Sequence, residues 1–151
     1  MIIQELSGVI QMIKISKSLT YANYINIYLY LLKNFELKSL SKIIYSTICL
    51  IYCRDIDCST TKRNDVISFY FSELNKGNAF SYEKLLEAIE SMNILLENNI
   101  VKIKGQDIEL IDKSVIFVKD QRLEKNSIKI FIDEIKSLGL KSFLSEVTNC
   151  V

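Results

Sequence analysis

Two stretches, "YANYINIYLYLL" (residues 21–32) and "IIYSTICLIYC" (residues 43–53), constrain this chain more than any other feature. In the first, Ala22, Ile25, Leu29 and Leu32 mark one helical face, while Ile27, Tyr28 and Leu31 fill another. In the second, Ile43, Ile44, Thr47, Ile48 and Ile51 share a face with Leu40, and Tyr45, Cys49 and Tyr52 occupy the other side. A helix apolar almost all round is either central to a fold or inside a membrane. The run from Ile43 to Cys53 is closed by Lys42 and Arg54, and it is too short to cross a bilayer, which takes about 20 residues. Both are therefore expected to be buried core helices, over 21–35 and 39–53, in a cytoplasmic protein. The opening "MIIQELSGVIQMIKIS" has no basic n-region and carries Glu5, so it does not read as a signal peptide.

With 151 residues, 49% of them apolar, the chain can bury one core and reads as a single domain. Its net charge of +1 gives no general attraction to nucleic acid or anionic membrane. Chemistry is poorly served. There is no histidine, the commonest general base and metal ligand, and no phosphate-binding loop or nucleophile elbow. Cys49 and Cys53 sit four apart on one helical face and read as small hydrophobes, and their spacing to Cys58 is not that of a zinc site. Asp55 and Asp57 read as solvated loop acids. No cofactor or metal is expected.

The remaining pattern is helical with one hairpin. Leu6, Val9, Ile10 and Ile13 predict a first helix weakened by Gly8, with Ser16 or Ser18 capping the next. Arg54 to Asp65 is a polar loop, and Val66, Phe69, Tyr70 and Leu74 favour a short helix. Ser81 is a natural N-cap for Tyr82, Leu85, Leu86, Ile89, Met92, Leu95 and Leu96. Asn98 and Asn99 end that helix, because asparagine tolerates the left-handed cap. "IVKIK" and "DIELI" around Gly105–Gln106 predict a two-stranded hairpin over 100–111, with Ile103 and Leu110 pointing onto Leu86 and Ile89. "SVIFV" is its return segment. Helix, hairpin and return are the outline of a winged helix. Asn126 or Ser127 caps a further helix that Gly139 closes, and Leu140, Phe143, Leu144 and Val147 begin the last. The expected architecture is mainly α, with a helical core over about 1–74, a winged-helix-like module over about 78–118 and terminal helices over about 126–148.

A winged helix that reads DNA puts the helix before the wing into the major groove, where it needs Arg, Lys, Asn or Gln on its outer face. Here that face carries Glu83, Glu87, Glu90 and Glu97 against Lys84. Lys102 and Lys104 on the wing face Asp107 and Glu109. Lys62 and Arg63, with Lys14 and Lys17, form the one other basic locus. The four residues Lys62, Arg63, Lys102 and Lys104 are candidate contacts to a DNA backbone, weak and without sequence preference. A protein partner is favoured instead. Two all-round apolar helices exceed what a chain this short should hide, so some of Tyr24, Ile27, Tyr28, Leu31, Tyr45 and Tyr52 are expected at the surface as an interface.

The two apolar helices, the polar loop, "LLENNIVKIKGQDIELI" and the ending "FIDEIKSLGLKSFLSEVTNCV" together resemble the small middle subunits of ABC three-component systems, including the small subunit of Lamassu-type bacterial defence systems. The likeness spans about residues 18–147 and lies in the order and length of the elements. It implies a non-catalytic adaptor that bridges an SMC-like ATPase and a nuclease-type effector subunit in antiviral defence, and it brings no catalytic residues. The alternative reading is a winged-helix transcriptional regulator.

Overall fold

The computed structural model describes residues 2–53, 72 and 81–150. Among them are five α-helices: α1 (Ile2–Asn34), α2 (Leu40–Cys53), α3 (Tyr82–Glu97), α4 (Asn126–Ser137) and α5 (Leu140–Cys150). Strands β1 (Val101–Lys104) and β2 (Asp107–Leu110) form an antiparallel hairpin between α3 and α4. The fold is thus mainly helical with one small hairpin, as expected. The anticipated loop at 54–65 and the short helix at 66–74 fall outside the described residues, apart from helical Ser72.

The first correction concerns α1. Two helices were expected, split near Ser16 and Ser18, and one helix of 33 residues is present. The hydroxyls there cap nothing. Ser18 donates to the Lys14 carbonyl at 2.9 Å and Thr20 to the Ser16 carbonyl at 3.1 Å, so both are satisfied inside a continuous helix. With neither proline nor an interrupting glycine between 14 and 34, nothing stops propagation. The helix ends where Phe35 donates to the Leu31 carbonyl and Glu36 turns left-handed at φ +50°.

Helix α3 follows its sequence signals closely. The Ser81 hydroxyl accepts from the Lys84 amide. At the other end Asn99 takes φ +56°, Ile100 donates to the Leu95 carbonyl and Asn99 to that of Leu96. Those two bonds define a Schellman cap with asparagine in its left-handed position.

The hairpin pairs Val101 with Leu110 and Ile103 with Ile108. Gly105 takes φ +66° and Gln106 a negative φ, the pattern of a tight hairpin turn with glycine first. Its anchors differ from those expected. Val101 and Ile108 are buried, whereas Ile103, near the tip, is 46% exposed, and Leu86 and Ile89 are exposed too. The reason is the third piece of chain beside β2. Ile108 donates to the Lys38 carbonyl at 2.7 Å and Leu40 to that of Gln106 at 3.0 Å, so the α1–α2 connection covers Ile108 and leaves the tip bare.

The return segment adds no third strand among the described residues. It runs extended along α1 instead. The Asn26 amide donates to the Val118 carbonyl at 2.8 Å and accepts from the Val118 amide at 2.6 Å, and Lys33 donates to the Val115 carbonyl at 2.6 Å. Two smaller expectations also fail. Helix α4 starts after Lys125 with no side-chain cap. It ends as Leu138 becomes extended, and Gly139 instead offers its carbonyl to Phe143 at the start of α5.

The core gathers the second half of α1, α2, one face of α3, the hairpin anchors, and Ile128, Phe131, Ile132, Ile135 and Phe143 from the terminal helices. Lys42 of α2 is buried as well. Its ammonium donates to the Leu138 carbonyl and reaches that of Lys136, so it plugs the carbonyl end of α4 where the helix dipole is negative. Burial lowers its pKa.

Candidate functional site

The interface expected from Tyr24, Ile27, Tyr28, Leu31, Tyr45 and Tyr52 does not form as a patch. Tyr24, Ile27, Tyr28 and Leu31 are fully buried, Tyr45 is half-buried, and Tyr52 is 42% exposed. The physical reason lies in the phenols. Tyr28 donates to the Ala88 carbonyl at 2.8 Å, Tyr30 to that of Leu123 at 3.2 Å and Tyr24 to that of Lys84 at 3.4 Å. A tyrosine whose hydroxyl finds a carbonyl can sit in a core, because its one polar group is then paired. Burial is also the main cause that pushes the Tyr24 and Tyr28 phenols far above their ordinary pKa.

The surplus of apolar surface appears elsewhere, on the first half of α1. Leu6, Val9, Ile10, Met12, Ile15 and Leu19 are between 53% and 71% exposed. They cover much of the helix circumference, and only Glu5, Lys14 and Lys17 carry charge between positions 2 and 20. This part of α1 is an arm of 19 residues, about 28 Å long at 1.5 Å per residue. At its root the Tyr21 hydroxyl donates to the Glu90 carboxylate, a bond that raises the Tyr21 pKa. Six large apolar side chains in one continuous stretch exceed the scattered exposure normal for a soluble surface. The sequence showed the periodicity of Leu6, Val9 and Ile10. What it hid was that, among the described residues, these side chains remain exposed.

The charged candidates behave differently. Lys62 and Arg63 lie outside the described residues. Lys102 and Lys104 are exposed on the hairpin, with Glu109 and Asp107 directly across the strands, and Lys102 sits 3.8 Å from Glu109. On α3, Lys84 lies over the Tyr52 ring at 4.5 Å. Partial burial, together with the nearby Glu83 and Glu90, raises the Glu87 pKa. This face concentrates negative charge where a phosphate backbone would need the opposite.

Cys49 is buried within α2, as a small hydrophobe would be. Among the described residues no three acidic or cysteine side chains gather around a common point. A groove of about 530 Å³ separates the end of α1 from β2. Its floor is Leu37, Ile108 and Leu110, and its rim mixes Lys33 and Lys38 with Glu36, so it presents no single charge to a ligand. No described helix is long and apolar enough to cross a membrane. Comparison with protein families, with curated proteins and with solved structures found no match to this chain.

Proposed function

We propose that this chain is a non-catalytic interaction subunit of a multi-protein assembly, and that the arm of α1 is the surface it offers to other chains. One observation carries the reading: Leu6, Val9, Ile10, Met12, Ile15 and Leu19 are all more than half exposed on a single helix. Covering each of them recovers roughly 1 kcal/mol, half of what full burial of a large apolar side chain is worth. In the setting that the resemblance supplies, the other chains are an SMC-like ATPase and a nuclease-type effector of a bacterial antiviral defence system, and this subunit bridges them.

The test is co-expression with an SMC-like ATPase of such a system. The wild-type chain should co-purify, and Met12→Asp or Leu19→Asp should release it while leaving its own fold intact. Co-purification unaffected by both substitutions would move the contact off the arm. A well-behaved chain that binds one duplex DNA site at nanomolar affinity in physiological salt would favour the regulator instead.

A further inference from the structure

We infer that the segment from Val115 to Lys119, laid over α1, receives an extended strand of another protein along its open edge, a strand apolar in its middle and acidic at its ends. This is a second contact surface, independent of the arm.

The first argument is the pattern of the segment. Val115 and Phe117 are half-buried against the core, while Ile116 and Val118 are 88% and 77% exposed. That alternation is the period of a strand with one face on a core. Isoleucine and valine favour strands because they pack against cross-strand neighbours. The sheet among the described residues is the β1–β2 hairpin, and this segment lies outside it.

The second argument is the main chain. The Asn26 amide donates to the Val118 carbonyl and accepts from its N–H, the two bonds that a residue of a neighbouring strand would make. In an extended chain successive residues turn these groups to opposite edges, so those of Phe117 and Lys119 face away from Asn26. Among the described residues they meet no hydrogen-bond partner. Lys33 holds the other end of the segment through the Val115 carbonyl. The edge is therefore fixed before a partner arrives, which lowers the ordering cost of binding. An ordered edge with open main-chain groups is a template for strand addition.

The third argument is charge. Lys113 and Lys119 flank the apolar stretch and make no salt bridge among the described residues. The Asp112 carboxylate is turned back onto the Ser114 amide and hydroxyl, and Asp120 is half-buried. An occupant with carboxylates on either side of its apolar middle meets both lysines. A second copy of the segment does not. Laid antiparallel about Phe117, it would put Lys119 diagonal to Lys113 at both ends.

The test uses a capped peptide of alternating valine and threonine with a glutamate at each end, titrated into the isotope-labelled full chain and read by amide NMR. It should bind at about 1 mM or tighter and shift the Phe117 and Lys119 amides. N-methylation of alternate peptide residues removes the donors of one edge and spares the other. One of the two methylated forms should bind as the parent does, and the other at least about tenfold more weakly. Lys119→Pro, at an exposed position, removes the edge N–H and should weaken the parent peptide similarly, with the near-ultraviolet circular dichroism of the buried tyrosines unchanged. No binding, equal binding by both methylated forms, a peptide indifferent to Lys119→Pro, or equal binding when lysines replace the terminal glutamates each overturns the inference. So do Phe117 and Lys119 amides that already exchange slowly in the free chain, because the chain would then cover its own edge. None of these outcomes bears on the arm, whose test is release of the ATPase by Leu19→Asp.

Discussion

Helix α1 has two halves, both rich in large aliphatic residues, with opposite fates. From Tyr24 to Leu32 it is enclosed by α2, α3 and the segment running to α4, with Tyr24, Ile27, Tyr28 and Leu31 fully buried. Toward its start Leu6, Val9, Ile10, Met12, Ile15 and Leu19 stand in solvent. Apolar periodicity specifies that a face needs cover, and only the rest of the fold decides whether that cover comes from the same chain. The phenols sharpen the contrast. They look like interface residues in sequence, yet they occupy the enclosed half because neighbouring carbonyls receive them.

The contrast can be pressed hardest at Leu31. Leu31→Asp buries an unpaired charge and should cost about 4 kcal/mol or more in urea unfolding, whereas Leu19→Asp should move the unfolding of the dilute chain by no more than about 0.5 kcal/mol. Equal losses would mean that the arm packs on its own fold. The hairpin repeats the comparison on a smaller scale. Ile108→Ala should cost about 2–4 kcal/mol and Ile103→Ala about 1 or less, read as shifts of the urea midpoint.

Next comes the enclosed phenol. Tyr28→Phe should cost about 1 kcal/mol through the lost bond to Ala88. It should also change the response to alkali. The folded pKa values of Tyr24 and Tyr28 lie above the unfolded value of about 10, so their contribution is complete below that pH. Above it the unfolded chain releases protons first, and each tyrosine withdraws about 1.4 kcal/mol per pH unit. Tyr28→Phe should remove one such share from the slope of stability against pH, and an unchanged slope would place that phenol in water. The smallest effect belongs to the arm. Nothing lies near the Cβ that Gly8→Ala would add, so the exchange should favour helix there by about 0.5–1 kcal/mol. Slower amide exchange confined to residues near position 8, with an unchanged core melting curve, is the expected readout.

Much of the fold was legible where local chemistry decides it. Ser81, Asn99 and Gly105 each impose a backbone conformation, and helix α3 and the hairpin turn fall where they say. Misreadings cluster where one residue type has two uses. Ser16 and Ser18 could cap a helix or bond back within one, and the choice depends on whether the chain continues helical beyond them. Ile103 and Ile108 share a hairpin face, and only the α1–α2 connection distinguishes them. The candidate site was half legible: the count of apolar groups required an uncovered patch, but its position depended on which half of α1 the remaining elements could enclose.

The arm is also a lever. Its root is braced by Tyr21 against Glu90, and its tip lies about 28 Å away. A tilt of about 10° at the root displaces the tip by roughly 5 Å, about one helical turn. Loss of the Tyr21 brace touches none of the exposed side chains, yet it changes where all of them point. Whatever grips the arm is therefore positioned by a tyrosine and a glutamate that it never meets.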